Sequence, residues 1–81
     1  MNIYLHDFTA RCPNNGVVIS YELEIRTNNM MIPVEEIIEF CTVSETYHED
    51  MADKLHRRFG GKQLLIAMHH GVRIKTIRGD A

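Results

Sequence analysis

Three groups of residues in this chain carry side chains able to do chemistry. Cys12 stands where an alternating stretch meets Pro13-Asn14-Asn15-Gly16. A thiol at a turn is exposed and lies near unpaired backbone N–H groups, which stabilise the thiolate, its nucleophilic form. The same position also suits a small buried hydrophobe at a strand end. His48 and Glu49 form the second group. An imidazole shuttles protons near neutral pH, and a carboxylate at a helix start can accept two N–H bonds from a planar heterocycle such as guanine or pterin. The alternative is a helix-capping acid beside an ordinary surface histidine. His69 and His70 are third. Adjacent strand residues point to opposite faces, so one can face a ligand while the other meets solvent; His70 is assigned the ligand side. The two cannot readily share one ion. Zinc would have only the scattered Cys12, Cys41, His69 and His70, so no metal or other cofactor is expected. Gly60-Gly61 lacks the dinucleotide fingerprint, and there is no nucleophilic-serine elbow.

These groups need elements to hold them. Residues 2–12 read as a strand in which Tyr4, His6, Phe8, Ala10 and Cys12 share a face. Asn15-Gly16 then predicts a tight hairpin turn, because both residues tolerate positive φ. Val17 to Thr27 alternates cleanly, with Val17, Ile19, Tyr21, Leu23 and Ile25 on one side. Asn28-Asn29 breaks the strand. Pro33 suits a first helical position, and Val34, Ile37, Ile38 and Cys41 follow at helical spacing. A second helix is expected from Thr46, with Thr46-Tyr47-His48-Glu49 as a capping box and Met51, Ala52, Leu55 and Phe59 as the buried stripe. Gly60-Gly61 stops it. Lys62 to His69 and Val72 to Arg78 make a second hairpin around His70-Gly71. The expected fold class is α+β: order ββααββ, one four-stranded antiparallel sheet, both helices on one face.

Size and charge narrow the function. A chain of 81 residues makes one domain, 1–81, with little surface to bury and marginal stability alone. Two cysteines allow at most one disulfide. Residues 2–11 contain His6, Asp7 and Arg11 and do not read as a signal peptide, and no apolar run nears the roughly 20 residues of a membrane span. The expectation is a cytoplasmic protein with reduced thiols and no membrane partner. The net charge is −2, and the only positive group of note is Arg73, Lys75 and Arg78, which disfavours nucleic acid. The remaining source of buried surface is self-association. Neighbouring sheets that close into a shared barrel would remove the exposed edges.

Phe8-Thr9-Ala10-Arg11-Cys12-Pro13-Asn14-Asn15-Gly16, then Tyr47-His48-Glu49, then Arg73 to Gly79, resemble the tunnelling fold, and within it the 7-cyano-7-deazaguanine reductase family. The specific parts are Cys-Pro-x-x-Gly after a strand and an aromatic-His-Glu at the second helix. The resemblance implies that Cys12 attacks a nitrile carbon to form a thioimide, that His48 and Glu49 lie in the substrate pocket with Glu49 holding the purine-like ring, and that pockets form between subunits. Two departures bear on the reaction. The family's proton-transferring aspartate, three residues after the motif glycine, is Ile19 here. The Lys- and Ser-containing segment that binds NADPH is replaced by Val34-Glu35-Glu36-Ile37-Ile38-Glu39, where Glu35 alone corresponds. The missing NADPH segment suits the family's amidine-forming archaeal branch, which uses ammonia and no reductant, although the missing aspartate counts against both reactions. The other readings are a GTP cyclohydrolase-like pterin enzyme and a non-catalytic domain that binds a purine, a pterin or a protein.

Overall fold

The structure, a computed structural model, describes residues 1–79. Its elements are β1 (Asn2–Arg11), β2 (Val18–Thr27), α1 (Val34–Cys41), α2 (His48–Phe59), β3 (Lys62–His69) and β4 (Val72–Arg78). The strands form one antiparallel sheet in the order β1-β2-β3-β4. The period-two pattern of β2 decides which face is buried: Ile19, Tyr21, Leu23, Ile25 and Thr27 point inward and are buried. Ala10, Leu65 and Ala67 extend that face across the sheet, and Ile37, Cys41, Met51, Ala52, Leu55 and Phe59 cover it from the two helices. The expected α+β architecture, with both helices on one face, is the one formed.

The first turn differs from its expectation. A two-residue turn of the expected kind needs positive φ at both central positions. At the β1–β2 turn only Gly16 has it, with φ 73°. The loop instead spans Pro13 to Gly16, closed by bonds from Cys12 N–H to Val17 O and from Gly16 N–H to Cys12 O. Asn15 Oδ1 accepts from Val17 N–H rather than letting Asn15 enter the left-handed region. The two-residue turn occurs at the other hairpin, where His70 (φ 50°) and Gly71 (φ 85°) are both left-handed between the paired His69 and Val72.

The helices also begin differently. Pro33 is the extended cap of α1, just outside the helix. Of the expected stripe, Ile37 and Cys41 are buried, while Val34 and Ile38 are 53% and 52% exposed. Residues four apart share a helix face, so this short helix turns the Ile37–Cys41 line inward and the Val34–Ile38 line outward. At α2 there is no capping box. Tyr47 caps the helix with no side-chain bond. The Thr46 hydroxyl donates instead to Tyr47 O, 3.1 Å, and the Thr46 N–H that the capping acid would bond is committed to Arg11 O, 3.1 Å.

Loops are tied by few but buried polar groups. Gln63 donates to Leu55 O and Gly60 O, capping the end of α2. Thr27 Oγ1 donates to Met30 O. The Tyr4 hydroxyl accepts from Ile32 N–H. Each satisfies a group whose burial would otherwise cost about 1–3 kcal/mol. Arg78 turns to the helix side and bonds Asp53 at 2.7 Å, while Arg73 and Lys75 stay on the opposite face. Among the described residues no helix is long and apolar enough to cross a membrane.

Candidate functional site

Cys12 follows the last residue of β1 and is half-buried. The chain is held to this point by a short parallel bridge, Arg11 to Glu45, with Arg11 N–H donating to Ser44 O at 2.9 Å and Thr46 N–H donating back to Arg11 O. That tether runs straight into Tyr47, His48 and Glu49. Cys12 is one residue beyond one end of it and Glu49 three beyond the other, so a single backbone contact sets both groups at one end of the sheet.

A chain of rings runs across the helix-covered face of the sheet. Phe8 stacks on Tyr21, with centroids 5.0 Å apart, and His6 stacks on Phe8 at 6.1 Å. Tyr21 meets His48 edge-on at 5.7 Å, and His48 lies 5.9 Å from His69. Burial pushes the Tyr21 phenol above its ordinary pKa, and the charge of the Cys12 thiolate pushes it further. At the other end, Glu49 acts on His48, opposing the downward push of burial. Cys12 thus acts on Tyr21 and Glu49 on His48, and the Tyr21 and His48 rings are in contact.

His48 is not a surface residue. It is 93% buried by its 7% exposure, and its Nε2 lies 3.2 Å from Leu65 O. A carbonyl only accepts, so Nε2 carries the proton and donates. Burial lowers the His48 pKa; the Leu65 bond raises it, while the His69 and Arg78 charges lower it again. Glu49 is exposed in the first turn of α2, where the helix dipole favours a carboxylate and, with no capping box to serve, its oxygens stay free for a ligand.

Other assigned residues stand apart. Glu35 is exposed on the first turn of α1, and none of the described hydrogen bonds, ion pairs or ring contacts joins it to this group. His70 is exposed in the hairpin turn; its neighbour His69, on the helix side of β3, is the one that meets His48. Cys41 is buried and its thiol is pushed up to about 11, so it stays protonated at neutral pH and is a poor nucleophile. Among the described residues no group of three or more His, Cys, Asp or Glu is gathered for a metal. His69 was considered with His70, which was given the ligand side, and Tyr21 was not singled out from sequence. Tyr21 read as one more inward position of β2, and its polar ring among aliphatic neighbours was the available signal.

Hollows occur elsewhere on the surface. One of about 430 Å³ is lined by Asp7, Phe8, Ser20, Tyr21, Glu22 and Arg73 among others, so it borders the ring series, and one of about 520 Å³ by Arg26, Asn28, Met30 and Lys62 among others. Neither includes Cys12, His48 or Glu49.

The ββααββ order, the antiparallel sheet and the paired helices on one face are the arrangement expected of the tunnelling fold. Among solved structures, the archaeosine synthase QueF-like protein in its apo form superposes with a TM-score of 0.67. The match covers 95% of this chain and 89% of that one at 16% identity, which establishes a shared fold. No family model matches the sequence, and no curated protein matches it.

Proposed function

We propose that this chain is a tunnelling-fold enzyme of 7-deazaguanine metabolism that acts on a nitrile-bearing base through Cys12. The observation that carries the reading is the Arg11–Thr46 tether, which ties the chain next to Cys12 to the segment that leads into His48 and Glu49. Glu49 would accept N–H bonds from the purine-like ring. The Cys12 sulfur would add to the nitrile carbon: a C–S bond forms, the C≡N bond becomes C=N, and the thiol proton ends on that nitrogen. Attack by ammonia on the thioimide carbon, with departure of the thiolate, would give an amidine without a reductant. The α1 residues Val34 to Glu39 contain no lysine for NADPH, and the structural neighbour is named as an archaeosine synthase, both in keeping with this branch. His48, with Nε2 committed to Leu65, serves here as a positioning residue for the start of α2 rather than an acid or base.

The test is intact mass of the protein incubated with 7-cyano-7-deazaguanine. An adduct equal to the nitrile's mass is expected on the wild type and on Glu49→Gln at reduced occupancy, and none on Cys12→Ala. An adduct on Cys12→Ala overturns the reading. A second reading is favoured by Ile19, buried at 4% exposure where the family's aspartate stands: a domain that binds such bases without reacting. Tight binding of the nitrile with no adduct at any pH would select it.

The site is proposed to work in a ring of copies. Both β1 and β4 are open edges. On the face away from the helices, cross-strand rows run Leu5–Glu24–Leu64–Ile77 and Asp7–Glu22–Ile66–Lys75. Asp7 and Glu22 oppose each other directly, an unfavourable like-charge pair. An antiparallel join of β4 to the next copy's β1 along the same rows would seat Lys75 beside Asp7 and Ile77 beside Leu5. Asp7→Lys and Lys75→Asp are each expected to shift the protein toward monomer in analytical ultracentrifugation, and the double exchange to restore the assembly. A monomeric wild type sinks this arrangement.

A further inference from the structure

Two imidazole nitrogens are buried with no hydrogen-bond partner among the described residues: His48 Nδ1 and His69 Nε2. A buried polar atom without a partner costs about 1–3 kcal/mol, and two on neighbouring rings call for a common cause. His48 sits at the first position of α2 and His69 at the last of β3. The Nε2 proton of His48 goes to Leu65 O, so a neutral His48 ring keeps its lone pair at Nδ1. That is how metal-binding histidines are held: one ring nitrogen donates to a backbone carbonyl, fixing the tautomer, while the other faces the ion.

The ring spacing agrees. A metal–nitrogen bond of about 2.0–2.1 Å, plus roughly 1.2 Å from nitrogen to ring centre, separates two ligating imidazoles by about 5.3 Å at a tetrahedral angle and about 6.5 Å when collinear. The observed 5.9 Å lies between. Adjacent His70, exposed in the turn, takes no part.

The geometry points to a two-imidazole site for a divalent transition ion, held by His48 Nδ1 and His69 Nε2, which clips the start of α2 to the end of β3. Water completes the shell, since no third protein ligand is gathered among the described residues. Imidazole donors suit zinc, copper or nickel rather than magnesium or calcium. The clip does not depend on nitrile chemistry, and its test is read without substrate.

Co²⁺ titrated into the full, metal-stripped chain should give visible absorption saturating at one ion per chain, displaced by Zn²⁺. Zn²⁺ should also raise the melting temperature through binding the folded state alone. His69→Ala should weaken Co²⁺ binding by at least about tenfold, as loss of a ligand or its support does. His48→Ala should do the same, and His70→Ala should leave it unchanged. Should His48→Ala fail to fold, His69→Ala and the ¹⁵N shifts of the two nitrogens on adding Zn²⁺ to the wild type carry the test. No saturable Co²⁺ binding, or binding that survives His69→Ala, overturns the site.

Discussion

Leu55→Ala is expected to leave the isolated chain close to unfolding. Leu55 has 0% exposure at the centre of α2, between Met51 and Phe59 on one side and the inward residues of β2 and β3 on the other. Truncation of a fully buried leucine costs about 2–5 kcal/mol, part from lost transfer energy and part from the cavity left behind. A domain of 81 residues has roughly 4–12 kcal/mol in total. One side chain therefore carries a large share of the margin. Urea unfolding should show the midpoint falling with an unchanged slope. A loss below about 1 kcal/mol would mean that this interior collapses freely, which the close contacts along α2 contradict. The consequence reaches the site, since Glu49 and His48 are the first two residues of the same helix.

Gly61→Ala is expected to cost about 3 kcal/mol or more, and Gly16→Ala only about 1 kcal/mol. Both glycines have positive φ, at 71° and 73°. An added Cβ at Gly16 meets nothing within 4 Å. At Gly61 it would run into Arg26 O, a backbone atom of the paired strand that cannot rotate away, and press on Thr27 at 3.3 Å. The pair separates conformational strain from steric conflict, because only the second differs between them. Equal losses in thermal or chemical unfolding would show that the β2–β3 pairing yields at Arg26–Lys62, the pair beside this turn. Gly16 also lies in the loop that follows Cys12, so the modest variant there tests how far the nitrile adduct depends on loop geometry without unfolding the domain.

The two variants also explain why the functional group needs the whole sheet. The Cys12 end of β1 and the Glu49 end of α2 are far apart in sequence. The core under α2 and the backbone bridge from Arg11 to the segment before α2 tie these two regions to one sheet. Loosening either should lower adduct formation even though neither touches the substrate, and the effect should follow the fraction folded.

Residue order by itself determined the six elements and the buried face of the sheet, because side chains in strands alternate and those in helices recur every three to four residues. The stripe Met51, Ala52, Leu55, Phe59 and the inward line Ile19 to Ile25 could be read directly. The prominence of Cys12 and Glu49 as candidates was also legible, from their types and their places at element ends. Tertiary structure decided the rest. Asn15-Gly16 carries the stronger turn signal, yet the tight turn formed at His70-Gly71, because loop closure depends on where the flanking strands come into register. Thr46 was readable as a cap, but β1 had a prior claim on its N–H, and that left Glu49 free. Which of His69 and His70 faces inward followed from the register of β3 on β2, which pairs Ala67 with the buried Tyr21 and so puts His69 on the helix side. The burial of His48 against Leu65 joins residues 17 positions apart, a contact that no local pattern encodes.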